Sequence, residues 1–173
     1  LAYHTGWSTR TYDDRDERLE HGKKELEYIE EARRQFCPIS FISPRCATLW
    51  AEGPYTSYYR NLARTETDLS KRREFLEKAL RVAPEELKRA ESSGYPDVIG
   101  AQHHRYGSVL TDLAQIATNS EEKRGLLEKA LVHMDETCRI SEQAELGSWN
   151  VNLMRTARAV AKSDLAGIAE DHE

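Results

Sequence analysis

The sequence contains no apolar run near the roughly 20 residues that a membrane-spanning helix requires, so no membrane helix is predicted. Glycine and proline are scarce, at 9 and 5 of 173 residues, and 32% of the residues are charged, which is typical of a water-soluble helical protein. The three cysteines, Cys37, Cys46 and Cys138, are an odd number, which favours reduced thiols in a cytoplasmic protein over a disulfide framework.

The sequence also lacks the basic excess of a nucleic-acid-binding surface. Its net charge is −5, and acidic and basic residues are interspersed along the chain. A nucleic-acid-binding protein usually gathers lysine and arginine on one face. We therefore expect neither a nucleic acid nor a membrane as the partner.

Motifs of catalysis and cofactor binding are missing as well, since there is no glycine-rich phosphate loop and no G-x-S-x-G elbow. His103 and His104 are adjacent, so on a helix their side chains point about 100° apart and do not easily share one ion. We predict that the protein is not an enzyme and holds no metal or cofactor. An enzyme or metal protein that uses His103 or His104 stays open as an alternative.

The most prominent feature that is present is a repeat. The segment KRREFLEKAL at 71–80 returns as EKRGLLEKAL at 122–131, 51 residues later. An apolar stripe with three- and four-residue steps continues beyond these letters in both copies. Its members in the first copy are Leu76, Ala79, Leu80, Ala83, Leu87 and Ala90, and their counterparts are Leu127, Ala130, Leu131, Met134, Cys138 and Ser141. Two copies of one amphipathic helix are therefore predicted.

Cap and turn signals divide the chain into helices. Asp68 or Ser70 is the predicted N-cap of the first copy and Asn119 that of the second. Gly94 is a predicted C-cap, and Pro96 is the predicted first residue of the helix after it. Short connections make consecutive helices antiparallel, so we predict one all-α domain of stacked helix hairpins. Its parts are an orphan helix at 13–36, a first repeat at about 44–93, a second at about 96–145 and a partial third at 148–173.

The third repeat is incomplete in the sequence. We predict that its first helix covers 148–162 and that a second helix begins at Ser163. Because the chain also starts at Leu1 rather than Met, we expect it to be a piece of a longer protein. An unpaired helix at the end of a stack exposes apolar surface, so a homodimer is a further alternative.

The repeat resembles the tetratricopeptide repeat (TPR). Ala79-Leu80 followed by Pro84 resembles the A-L-x-x-x-P ending of a TPR second helix, and the resemblance covers residues 44–165. The period is 51 and then 47 residues rather than the standard 34, so the chain resembles the long-helix TPR-like arrays of signalling ATPases and motor adaptors. The position that has Gly or Ala in the family is Arg60, Thr111 and Arg158 here. The resemblance implies an α-solenoid with a right-handed superhelix.

In TPR proteins the first helix of each repeat lines a concave groove, and the resemblance assigns the groove positions in this chain. They are Tyr58, Asn61 and Arg64 in the first repeat, Arg105, Ser108, Asp112 and Gln115 in the second, and Asn152, Arg155 and Lys162 in the third. This set is polar and more basic than acidic, which suits an acidic peptide or a C-terminal carboxylate.

We therefore expect a non-catalytic protein–protein interaction scaffold that binds a partner peptide or helix in this groove. The alternative is a sensor or regulatory fragment of a larger signalling ATPase or transcription regulator. Both readings place function on the first helices of the repeats, because the second helices carry the packing stripe.

Overall fold

The computed structural model of the chain describes residues 15–36, 54–144 and 148–170. These residues form helices, with no β-strand among them, which confirms the predicted all-α class. The helices are α1 (Arg15–Phe36), α2 (Pro54–Thr65), α3 (Leu69–Ser93), α4 (Pro96–Ile116), α5 (Ser120–Gln143) and α6 (Ser148–Glu170). None of them is long and apolar enough to cross a bilayer. The predicted start of the first repeat, near residue 44, lies outside the described residues.

Local caps mark the ends of the central helices at the predicted positions. The Oδ1 atoms of Asp68 and Asn119 accept hydrogen bonds from the backbone N–H groups two and three residues farther along, at the starts of α3 and α5. Gly94 ends α3 in the left-handed conformation, with φ of 70°, and Pro96 is the first residue of α4. These sequence signals therefore act locally, as expected.

The helices pack mainly in chain order. Each helix from α1 to α5 contacts the next one, and the contact between α4 and α5 is the most extensive. Further contacts join α2 to α4 and α4 to α6, so these three helices are neighbours. The ends of α3 and α5 are linked by an ion pair, in which Nη1 of Arg73 lies 2.7 Å from Oε1 of Glu122.

The predicted apolar stripes form the core. Leu76 and Leu127, which are 51 residues apart, have no exposed surface. Leu76 lies in a cluster with Val109 and Leu113 of α4, and Leu127 lies in a second cluster that includes Ala161 of α6. The other buried members of the two stripes are Ala79, Ala83, Ala90, Ala130, Met134, Cys138 and Ser141. Both copies of the repeated helix therefore bury the same face.

The last helix differs from the prediction. We expected a new helix to begin at Ser163, whereas α6 continues without a break to Glu170. Ile168 lies seven residues after Ala161 and so continues the same helical face, and both are buried in the cluster around Leu127. Because this segment has no proline and extends an existing packing face, nothing ends the helix at the predicted position.

The contact between α4 and α5 includes two glycines of α4, of which Gly107 lies at the closest approach. A Cβ added at Gly107 would lie 3.1 Å from Cε of Met134 and 3.2 Å from the carbonyl oxygen of Ala130. Gly100 lies about one turn from the N-terminal end of α4, and its carbonyl oxygen accepts a hydrogen bond of 3.2 Å from Oγ1 of Thr137 on α5. A Cβ at Gly107 would therefore require α5 to shift by a few tenths of an ångström.

We expect Gly107→Ala to lower the free energy of unfolding by about 1 kcal/mol, because the backbone of α5 cannot yield as a flexible side chain can. Gly125 lies on α5 with open space around it, so Gly125→Ala is the matched control. It should raise the free energy of unfolding by up to about 1 kcal/mol through helix propensity alone. Urea unfolding followed by circular dichroism measures both, and equal stabilisation by the two variants would contradict the tight crossing.

Candidate functional site

The predicted groove residues lie on α2, α4 and α6, the helices that contact one another across the hairpins. Their side chains differ in accessibility. The exposed ones are Arg64, Gln115, Arg155 and Lys162, the half-buried ones are Tyr58, Asn61 and Arg105, and the buried ones are Ser108 and Asp112. Asn152 lies in α6 three residues before Arg155, and its side chain is outside the described ones.

Asp112 is bound by two arginines of α2. Its Oδ2 atom lies 2.6 Å from Nε of Arg60 and 3.5 Å from Nε of Arg64, and its Oδ1 atom accepts a longer bond of 3.4 Å from Nη2 of Arg60. The side chain of Asp112 is 9% exposed, whereas that of Arg64 is 47% exposed. Asp112 therefore ties α4 to α2, and Arg64 keeps an accessible positive charge beside it.

Arg60 is a site residue that the sequence prediction left out of the groove. It stands where the TPR pattern has Gly or Ala, and its guanidinium lies between α2 and α4. A large basic side chain at a small-residue position needs an acidic partner when it is buried. Asp112 lies 52 residues after Arg60, one residue beyond Thr111, which the 51-residue repeat makes equivalent to Arg60. An acidic residue next to that equivalent position was the sequence signal that could have indicated this ion pair.

Tyr58 packs between α1 and α2, whereas a groove position would leave its side chain accessible to a ligand. A Cβ built on Gly22 of α1 would lie 3.5 Å from the ring of Tyr58, and the ring of Tyr59 is tilted against it at 5.3 Å between centroids. Burial, together with the neighbouring Tyr59 hydroxyl, raises the pKa of Tyr58. The phenol is therefore a packing group at the α1 end of the described chain.

Arg105 belongs to a polar network that holds the start of α2. The carboxylate of Glu86, on α3, is buried and accepts bonds from the backbone N–H groups of Tyr55 and Thr56, at 3.0 and 3.2 Å, and from Oγ1 of Thr56 at 2.5 Å. Nε2 of Gln102 also donates to it, at 3.3 Å, and Oε1 of Gln102 accepts from Nη1 of Arg105 at 3.2 Å. The guanidinium of Arg105 is thus already hydrogen-bonded within the protein.

Two arginines of α6 form ion pairs with acidic residues of α5. Nη2 of Arg155 lies 2.8 Å from Oε1 of Glu142, and Nε of Arg158 lies 2.5 Å from Oδ1 of Asp135, with both acidic partners on α5. The hydrogen bond to Glu142 raises the pKa of Arg155. Lys162 is exposed. Arg155 is therefore already paired with a carboxylate of α5.

Two histidines that no sequence motif connects meet between α4 and α5. Nδ1 of His103 lies 3.0 Å from Nδ1 of His133, and the ring of Tyr106 stacks on His133 with centroids 4.0 Å apart. Burial, reinforced by the neighbouring His103, lowers the pKa of His133 to about 4. Burial also lowers the pKa of His103, against the opposing pull of the Glu136 carboxylate. Both rings are therefore neutral at pH 7.

Groups suited to metal or thiol chemistry are sparse in the described part of the chain. Residues 15–36, 54–144 and 148–170 contain no group of three or more His, Cys, Asp or Glu side chains that could hold a metal ion. Cys138 is buried on the packing stripe, and burial raises the pKa of its thiol, which favours the unreactive protonated form. Cys37 and Cys46 lie outside the described residues.

What stays accessible on the neighbouring faces of α2 and α4 is a polar strip, formed by Asn61, Arg64, Thr111 and Gln115. Asn61 and Arg64 are three residues apart on α2, and Thr111 and Gln115 are four apart on α4, so each pair shares a face of its helix. The contact of Arg64 with Asp112 brings the two faces together. The polar strip offers amide and hydroxyl groups and one guanidinium to a ligand.

Comparison with other proteins adds no assignment. No protein-family model matches the chain, and neither a curated protein nor a solved structure does.

Proposed function

We propose that the chain is a TPR-like stack of helix hairpins that acts as a non-catalytic scaffold, and that it binds an acidic segment of a partner protein along the polar strip. The observation that carries the proposal is the adjacency of α2, α4 and α6 beside an accessible arginine. These are the first helices of the three repeats that the sequence predicts. In a hairpin stack, adjacent first helices form the inner surface that binds ligands.

The packing order supports the repeat. A solenoid unit contacts mainly its neighbours, and the helices here contact the next helix along the chain or, for α2, α4 and α6, the next first helix. Leu76 and Leu127 occupy equivalent buried positions 51 residues apart. The single long helix α6 fits a stack whose third unit is represented by its first helix, lengthened by two turns.

The charge distribution supports an acidic ligand. Two arginines of α2 face one aspartate, so the α2–α4 contact keeps an excess of positive charge. Arg64 is the more exposed of the two and can pair with a second carboxylate, since a guanidinium offers five N–H donors. Amide groups of Asn61 and Gln115 suit the backbone of an extended peptide. Arg155 and Arg105, which the TPR register includes, already have partners and contribute less.

The proposal is tested with peptides selected from a random displayed library on the wild-type protein. We expect acidic sequences to be enriched. Fluorescence anisotropy should then give dissociation constants about tenfold higher for Gln115→Glu and for Arg64→Gln, because each removes one unit of positive charge or adds one of negative charge at the polar strip.

The matched control is Arg81→Gln, which makes the same charge change at an exposed position of α3. It should leave the dissociation constants within twofold of wild type, since Arg81 lies on α3, which carries no residue of the polar strip. Selection of peptides without acidic residues, or equal effects of Arg64→Gln and Arg81→Gln, would disprove the assignment of the site.

A further inference from the structure

The contact between His103 and His133 lies outside the polar strip. It joins α4 to α5, the two helices that pack against each other most extensively. His103 comes from α4 and His133 from α5, with the Nδ1 atoms 3.0 Å apart and the ring planes 41° apart. Tyr106 covers the His133 ring at a stacking distance. The Cβ of His133 lies 3.3 Å from the Cβ position of Gly107, so the backbones leave little room for the rings to separate.

The number of protons that this contact tolerates follows from its geometry. A hydrogen bond between two Nδ1 atoms requires that one carries hydrogen and the other is bare. A first added proton can enter Nε2 of the donor ring, which leaves the bond intact and makes it charge-assisted. A second added proton must enter the bare Nδ1. Two N–H groups and two positive charges would then face each other at hydrogen-bond distance, and the contact is lost.

The charged surroundings decide which ring accepts the first proton. The carboxylates of Glu136 on α5 and Glu91 on α3 favour the charged form of His103, and the guanidinium of Arg139 on α5 opposes it. On α4, His104 follows His103 in the chain and Tyr106 covers the other ring. Within the described part of the chain no carboxylate favours the charged form of His133, and His103 itself disfavours it. These charges favour the first proton on His103, so His133 is the ring whose protonation breaks the contact.

We propose that the His103–His133 contact is an acid-sensitive joint, which holds α4 against α5 at neutral pH and opens when the pair takes up its second proton.

The direction of the pH dependence follows from proton linkage. In the unfolded or opened chain each histidine titrates near its ordinary pKa of about 6.5. In the closed hairpin the pKa of His133 is about 4 and that of His103 is also lowered. The open form therefore binds more protons than the closed form between pH 6.5 and pH 4, so acid favours opening by up to about tenfold per pH unit through the proton that the closed form keeps off His133. Above pH 6.5 the joint adds no pH dependence.

Two measurements on the whole chain test the joint. The first is a titration of the ring nitrogens by NMR with ¹⁵N-labelled histidine, in which His133 should stay neutral down to about pH 5. The second is amide hydrogen exchange, corrected for the intrinsic rate, in which protection in α4 and α5 should fall about tenfold from pH 7 to pH 5. That figure is below the linkage maximum because both rings are only half-buried and solvent screens them.

Variants separate the joint from general acid effects. His103→Gln and His133→Gln should each reduce the loss of protection between pH 7 and pH 5, and the double variant should remove most of it. His21→Gln, a histidine on α1, is the matched control and should keep the wild-type loss. If His133 titrates near pH 6.5 in the folded wild-type protein, or if α4 and α5 are equally protected at both pH values, the joint does not exist. Because no ligand enters these measurements, their outcome is independent of the peptide-binding proposal.

Discussion

Replacement of Glu86 by alanine should lower the free energy of unfolding by about 3 kcal/mol. Its carboxylate is 1% exposed and accepts from two backbone N–H groups of α2, from the hydroxyl of Thr56 and from the amide of Gln102. Hydrogen bonds to a charged group contribute about 1.5–3 kcal/mol, and donors left buried without a partner cost a further 1–3 kcal/mol each. Water that enters the vacated space recovers part of this loss, so the expected total is below the sum.

The effect should be greatest at the start of α2. The first N–H groups of a helix have no partner within the helix, and at Tyr55 and Thr56 the carboxylate of Glu86 supplies that partner from α3. Hydrogen exchange at these two amides should therefore accelerate more than at the amides of α5. Glu85→Ala is the matched control, because Glu85 is an exposed neighbour with the same charge, and it should change stability by less than about 0.5 kcal/mol. Equal effects of the two substitutions would contradict this role of Glu86.

The network around Glu86 also shows which part of the fold the sequence can predict. Asp68, Asn119 and Gly94 act on backbone groups within a few residues, so their identities alone predict helix ends. The carboxylate that caps α2 comes from a residue 30 positions away. No local pattern distinguishes Glu86 from the many exposed carboxylates of the chain. Its burial depends on how α3 is rotated against α2, which is a property of the assembled helices.

The same limit applies to the candidate site. Counting along the sequence repeat, with its offsets of 51 and 47 residues, assigns the candidate site residues to α2, α4 and α6. It does not predict that Asp112 turns towards the arginines of α2, or that Arg155 turns towards Glu142 of α5. An ion pair between helices depends on side-chain reach and on the crossing angle, and a shift of one residue moves a helical side chain by about 100°. Arg60 and Asp112 show such a shift, since they are 52 residues apart, whereas the two copies of the repeated segment are 51 residues apart.

The first and second helices of the proposed repeat differ in how much their sequences vary, and this difference has a physical basis. The second helices, α3 and α5, repeat because their buried stripe must fit the same kind of neighbour in each unit. The first helices differ more, and the polar strip, the Asp112 contact and His103 all lie on them. Packing restricts the first set of positions to a few apolar residues, whereas positions that face solvent or a ligand are free to vary. In the proposed hairpin stack, variation between units is therefore a guide to the position of the candidate site.

Leu127→Ala and Leu76→Ala test the repeat through its core, and each should lower the free energy of unfolding by about 3 kcal/mol. Both side chains are fully buried in clusters of small and branched residues. Replacement of a buried leucine by alanine typically costs 2–5 kcal/mol, because transfer free energy is lost and a cavity remains. Val132, on α5 and 67% exposed, provides the control, since Val132→Ala should cost less than about 0.5 kcal/mol.

The two leucine variants should differ in which helices loosen. Leu127 is the centre of the cluster that joins α6 to α4 and α5, and α6 has no other strong contact among the described helices. Leu127→Ala should therefore raise hydrogen exchange throughout α6, while Leu76→Ala should act on α2, α3 and α4 and leave α6 protected, as expected when each unit depends on its neighbours. If both variants loosen every helix to the same extent, the chain folds as one cooperative bundle and the hairpin-stack interpretation fails.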